Sequence, residues 1–450
     1  MLKILKTLFG VQKPRADARR RAAPADPPPG AVPDTPPPDA DNPPPVLCRE
    51  AVLDRRQALV GYQFTHHEGT RARSRDRGSA IRHVYAEVLV RSLSAFGVDR
   101  SLGRRLAFVD LPDTFLDHAS LDEVAATNLV VLPQAHDDAM PDAGALAARV
   151  AQLRARGMRF ALASDHLARH HEPLLAHADF LVFRSTGDDP ESLARHLHHM
   201  HAARPEAAIL MRELASHDDF NLSAKLGASL FQGRFVTARE PWEQSELGPN
   251  SARLADLLAR LRRDAETREI AEALKRDGAL SVRLLRYINS AAVGLHEKVT
   301  SFERAVQLLG RARLERWLML LMLSADGNSP RSAAVLEGAM VRARMMELLG
   351  QDEAPAVRDE HFMTGLLSLI DVVLEMPLDS AMAAFDPAPP IRQAIVDGEG
   401  RLADLLALAR ACEEADASAL DEAAARCGLT PERAGLCHVE ALAWALEMGE

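Results

Sequence analysis

An α/β half followed by an all-α half is the fold class this sequence predicts, and three observations predict it. Short apolar runs alternate with helical stretches across residues 47–245. From residue 250 onward, apolar positions recur at i, i+3, i+4 and i+7. Aromatic residues make up only 4% of the 450 residues, while Ala, Leu and Arg dominate, a balance that favours helix. The length suggests two or three domains, and a hydrophobic content of 47% is ample for packed cores.

Residues 1–46 stand apart. "MLKILKTLFG" sets Leu2, Leu5, Leu8 and Phe9 on one face and Lys3 and Lys6 on another, and Lys13, Arg15, Arg19, Arg20 and Arg21 follow. "PADPPPGAVPDTPPPDADNPPP" then reads as an extended, disordered spacer without a core. The first 21 residues are either a frayed tail or a short helix making weak contact with an anionic membrane or a partner's groove. No apolar run approaches the roughly 20 residues that span a bilayer, and no Ala-x-Ala-like cleavage site follows an apolar core. The expected location is cytoplasmic, with a peripheral contact at the inner membrane as the alternative.

In the α/β half, "LAFVDL", "NLVVLP", "MRFALAS", "DFLVFRS" and "AAILMREL" are strand-like. "AGALAARVAQLRARG" and "DPESLARHLHHMHAARP" between them are helical. That pitch means parallel βαβ units, hence a barrel or a doubly wound sheet. In a barrel, chemistry belongs at the carboxyl ends of the strands. "GYQFTHH" runs a strand into a polar loop and sets His66 and His67 at its exit. In the helical half, Gly278 can end one helix, and Asp277 to Ser281 can start the next. In "RLLRYINSAAVG", Leu284, Leu285 and Ile288 form a core face, and Asn289 with Ser290 can cap or turn. "SFERAVQLLGRARLERWLMLLMLS", "EHFMTGLLSLIDVVLEM" and the proline-led "FDPAPPIRQAI" supply later helices.

A net charge of −10 offers nucleic acid no general attraction, and beyond the tail no basic patch has interleaved aromatics. Cys48, Cys412, Cys427 and Cys437 lack CxxC spacing and read as free thiols of a reducing compartment. Cys437 and His438, with Cys427 and Cys412, read as helical packing positions rather than a metal cluster. His166 with His170, and His196, His198, His199 and His201, read as solvated helix faces.

"DRRQALVGYQF", "ADFLVF" and "KLGASLFQGRF" resemble the opening strand, a middle strand and the closing "FQGYF"-type signature of EAL domains. These are TIM-barrel phosphodiesterases of the bacterial messenger cyclic di-GMP. "LKRDGALSVRLLRYINSAAVGLHEKVTSFERAVQLLGRARLERWLMLLML" and "FMTGLLSLIDVVLEMPLDSAM" are similar to HDOD domains, non-catalytic relatives of HD-type metal phosphohydrolases. The order resembles the two-domain YuxH-like family of signalling proteins. It implies a TIM-barrel-like EAL domain at 47–245 and an all-α HDOD domain at 250–412. A disordered tail precedes them at 1–46, and a helical extension follows at 413–450.

The resemblance also tells where the site should be. Two divalent cations clamping a phosphodiester need oxygen ligands, chiefly carboxylates. The family's first metal glutamate falls on Gln63, whose neutral carbonyl cannot offset metal charge. The following asparagine falls on Asp110 and the next glutamate on Pro133. The paired aspartates fall on Ala163 and Ser164, with Asp165 one residue late. The catalytic lysine falls near Val182 and a further aspartate on Arg184. Two later glutamates fall on Arg212 and Ala215, and only Gln232 is unchanged. The metal and catalytic positions therefore read as lost, with no cofactor and no metal expected. No His-Asp pair of the HD type follows residue 250; His136-Asp137 and His217-Asp218 lie in the α/β half.

Three functions remain. The first is a non-enzymatic adaptor acting on protein partners in cyclic di-GMP circuits, with a homodimer suggested by the resemblance. The second is a receptor that binds cyclic di-GMP without cutting it, through Arg184, Arg212 and Gln232, with Arg234 also in reach. The third is new chemistry at Asp110, Asp165, His166 and Glu213. An active phosphodiesterase is the least expected.

Overall fold

The structure is a computed structural model. It describes residues 46–67, 79–96, 102–124, 127–135, 141–164, 171–185, 190–243, 246–263, 265–275, 280, 284, 288, 299, 301–323, 329–414 and 417–449. The N-terminal stretch to residue 45, Asp165, His166, His170 and the turn around Gly278 lie outside these residues.

Eight strands close into one barrel in chain order. They are β1 (Val46–Asp54), β2 (Leu59–His67), β3 (Leu106–Pro112), β4 (Leu129–Gln134), β5 (Arg159–Ala163), β6 (Phe180–Arg184), β7 (Ala208–Arg212) and β8 (Leu230–Gln232). The sequence left a barrel and a doubly wound sheet open; closure decides for the barrel. β2 through β8 run parallel, but β1 is antiparallel to both β2 and β8. That hairpin was not foreseen, because "VLCREAVLD" carries polar residues in both registers. A tight turn makes it: Asp54 Oδ1 accepts from the amides of Arg56 at 2.8 Å and Ala58 at 2.9 Å, and Gln57 takes φ 60°. His66 and His67 lie within β2 rather than in a loop beyond it.

Alternation along each strand divides the barrel residues. Val52, Leu106, Phe108, Val130, Leu132, Ala161, Ala163, Phe180, Val182, Leu210 and Leu230 fill the interior. Intervening residues such as Val109, Val131, Phe160 and Phe231 face outward into a second core under the helices. Those helices are α1 (Ser79–Phe96), α2 (Ala143–Ala155), α3 (Pro190–Ala203) and α4 (His217–Lys225). α4 starts with a reciprocal capping box between Ser216 and Asp219.

The second half contains α5 (Pro249–Arg262), α6 (Thr267–Lys275), α7 (Phe302–Leu323), α8 (Pro330–Leu349), α9 (Pro355–Leu367), α10 (Leu378–Phe385), α11 (Arg401–Glu414), α12 (Ala417–Cys427) and α13 (Pro431–Gly449). Gly310, at φ 73°, breaks α7 into two segments. Leu284 and Ile288 are buried in the shared core, as their spacing predicts, and Leu280 joins them; Leu285, Asn289 and Ser290 lie outside the described residues. The last forty residues are not an appendage: α11 runs across the 412/413 boundary, and α13 packs on both α8 and β1.

Candidate functional site at the barrel mouth

The inward-facing register puts Gln63, Asp110, Arg184, Arg212 and Gln232 together at one end of the barrel, above the apolar interior. Three of them form a closed polar unit. Arg212 donates to Asp110 through both terminal nitrogens, at 2.9 and 3.0 Å, in a bidentate pair. It also donates to the Gln63 side-chain carbonyl, and Gln63 Nε2 returns a bond to Asp110 Oδ1 at 3.1 Å. Arg212 and Gln63 are only 5% and 2% exposed. Both oxygens of the one acidic residue that sequence matching left at the mouth are thus taken by a fixed internal cation.

The other positions fall into three groups. Ala163 and Val182 are interior core and offer no ligand atom. Pro133 lies on the outward register of β4, one step from the inward Leu132, and Ser164 sits just past β5. Ala215 is exposed, and the neighbouring Glu213 takes φ 63° and meets Arg184 at 3.5 Å on the solvent side. Gln232 donates to Glu50 Oε2 at 2.7 Å and leaves its own Oε1 unsatisfied. The glycine of "FQGRF" has a steric reason. At φ 142°, Gly233 carries the chain against Leu214, where a Cβ would come within 2.3 Å of the backbone oxygen.

Glu50 escaped sequence reasoning. It faces Gln63 across the β1–β2 ladder and shares an inward register with Val52. The signal was there: reading "REAVLD" as a strand sets Glu50 two residues from Val52 on the same face. Burial raises the Glu50 carboxyl above its ordinary range, opposed by the Gln232 bond and the Arg212 charge.

The mouth opens toward the helical half, and the two halves are bolted together beside it. Arg331 of α8 donates to the carbonyls of Phe235 at 3.1 Å, Val236 at 3.3 Å and Ala238 at 2.8 Å, and pairs with Glu240. Glu337 of α8 accepts from Tyr62 and, at 2.8 Å, from Arg105. Arg239 meets the buried Asp371 at 2.5 Å. Arg342 grips Glu413 with Nε and a terminal nitrogen, at 2.7–3.0 Å. Arg342 therefore holds the Glu413 carboxyl below its ordinary range despite burial. His198, His199 and His201 are exposed on α3, and Cys412, Cys437 and His438 are buried. Among the described residues, no group of three or more His, Cys, Asp or Glu is arranged to hold a metal ion.

Residues 251–381 match the HDOD domain model. The chain carries an HDOD domain. It is 21% identical over 414 residues to the YuxH protein of Bacillus subtilis, covering 88% of this chain and 97% of that one. It is also 21% identical over 413 residues to the cyclic di-GMP phosphodiesterase CdgJ of Vibrio cholerae, covering 89% and 92%. Among solved structures, it is similar to the YkuI protein of Bacillus subtilis, which has an EAL domain and was solved with the substrate cyclic di-GMP and calcium. That match has 16% identity, covers 52% of this chain and 72% of that one, and has a TM-score of 0.35. The order expected from the resemblance, a TIM-like barrel and then an HDOD domain, is the order found. Through CdgJ, the chain is related to a protein of cyclic di-GMP signalling. No helix among the described residues is long and apolar enough to cross a membrane.

Proposed function

We propose that this chain is a non-catalytic adaptor that acts through protein contacts in cyclic di-GMP circuits. The observation that carries the reading is the Gln63–Asp110–Arg212 unit. A two-metal phosphodiesterase needs several carboxylates converging on its cations. Here a guanidinium stands among those positions and engages the remaining carboxylate on both oxygens. A cation entering beside Asp110 would meet that positive charge in a water-poor site, where like-charge repulsion is strong. Arg184 adds a second positive charge at the rim. What the surface offers instead is a braced pair of modules, whose barrel and helical faces can be read by a protein partner.

The decisive assay incubates the full chain with cyclic di-GMP and magnesium or manganese and follows linear product. No turnover above buffer is expected. Metal-dependent turnover that survives purification to constant specific activity and is lost in Asp110→Asn would defeat the proposal. A second reading, a receptor that binds cyclic di-GMP without cutting it, draws on Arg184. Its side chain is 43% exposed, and among the described residues it meets only Glu213, at 3.5 Å. Calorimetric titration separates the two readings. Saturable heat that Arg184→Gln removes would favour the receptor, and no heat from a folded sample favours the adaptor.

A further inference from the structure

A cleft of about 440 Å³ lies where the barrel meets the helical module. None of Gln63, Asp110 or Arg212 lines it. Arg49 of β1 does, and it is an anomaly. It is 7% exposed, yet among the described residues it makes no hydrogen bond and no ion pair, and its Nε is buried without a partner. The Tyr62 ring lies 4.7 Å from the guanidinium carbon, and the Arg49 charge also acts at longer range on Glu413 and His438. The nearest counter-charge, Glu413, is spent on Arg342, so the buried Arg49 guanidinium has no directly bonded partner, an arrangement that is costly and that folded proteins rarely keep.

The carboxylates around the cleft are already engaged. Glu413 is gripped by Arg342, Glu50 accepts from Gln232, and Glu213 meets Arg184. Glu414 stands exposed. Arg234 also lines the cleft, exposed at its rim, and its side chain likewise has no hydrogen bond or ion pair among the described residues. Two unspent guanidinium groups thus face one cavity. Ala51, Leu214, Val236, Val335 and Leu369 supply its apolar wall. Val236 and Arg234 come from the barrel and Val335 from α8, so an occupant would touch both modules.

We propose that this junction cleft binds a small oxyanion ligand, a phosphate or carboxylate group carried on an apolar body, with Arg49 and Arg234 holding the anion. Planar guanidinium forks match either group. Because the ligand bridges the modules, binding stabilises their docked arrangement. The inference does not rest on the non-catalytic reading, and a hydrolysis assay leaves it untouched.

The test is thermal unfolding of the full chain with phenyl phosphate, benzoate and inorganic phosphate as probes, each against chloride at equal ionic strength. A saturable rise in Tm is expected with phenyl phosphate or benzoate, larger than with inorganic phosphate. Whichever aromatic probe acts at lower concentration identifies the anion. Arg234→Gln should weaken the response at least tenfold, and Arg49→Gln should abolish it. If Arg49→Gln does not fold, Arg234→Gln, at an exposed position, still decides. No saturable rise over chloride, or an undiminished rise in Arg234→Gln, overturns the proposal.

Discussion

Arg212 and Asp110 hold one another in place, so removing either exposes what the other costs. Arg212→Met leaves a carboxylate facing the interior with Gln63 as its sole polar contact. Breaking a buried pair from one side costs about 3–5 kcal/mol, and the 27% exposure of the Asp110 side chain lowers that to about 2–3 kcal/mol. The double variant Arg212→Met with Asp110→Asn should recover part of the loss, as urea unfolding midpoints would record. Equal loss in both would mean that the pair contributes nothing as a pair. A second residue-scale effect belongs to His438. Burial, helped by the charge of Arg49 and opposed by Glu413, pushes its pKa from 6.5 to about 4. The folded state therefore favours neutral imidazole, while the unfolded chain takes up a proton below pH 6.5. Stability should fall as pH drops from 6.5 toward 4, by up to about 3 kcal/mol. His438→Phe should flatten the slope in that window. Loss from the depressed Glu413 carboxyl begins only below its ordinary value of 4.5. An unchanged slope in His438→Phe would assign the effect elsewhere.

Elements differ in how openly the sequence declares them. The parallel strands were legible because both faces are buried, which makes near-continuous apolar runs such as "LVVL". β1 was not, because Arg49 and Glu50 interrupt it, and their burial depends on contacts from α11, α13 and β8 that no local pattern encodes. Gln63, Asp110, Arg184, Arg212 and Gln232 were read as site positions and do converge. Pro133 and Ser164 do not, because a one-residue slip in matching a strand turns a side chain to the other face. The α8–α9 contact shows the same limit. Gly365 of α9 sits where a Cβ would lie 2.4 Å from the Ala343 backbone nitrogen of α8, whereas Gly338 of α8 has open space around its Cβ position. Gly365→Ala should destabilise by about 1–3 kcal/mol through forced separation of the helices. Gly338→Ala should stabilise by about 0.5–1 kcal/mol through helix propensity alone. Thermal unfolding of the two variants checks the contrast, and a neutral Gly365→Ala would show that the helices can part freely.

At the scale of the molecule, the last helices decide whether the two modules behave as one. α13 lies along α8 and also reaches β1, and α11 carries Glu413 to Arg342. Burial holds Cys48 of β1, Cys412 of α11 and Cys437 of α13 away from water, and it pushes the Cys48 thiol up to about 12, as expected of an inert packing group. Removing residues 415–450 would strip Ala434, Ala441, Leu442 and Leu446 from this seam and expose the apolar faces of both modules at once. The full chain should therefore unfold in one cooperative transition, whereas a chain ending at Glu414 should aggregate or melt broadly at lower temperature. Arg331→Met tests the same seam more gently. It removes the donors to the carbonyls of Phe235, Val236 and Ala238 while keeping the side chain's length. Each unsatisfied buried carbonyl costs about 1–3 kcal/mol, enough for the barrel and the helical module to melt separately in calorimetry. A single undisturbed transition in both variants would mean that the modules are only neighbours, and that a partner reading this protein meets two independent surfaces instead of one braced body.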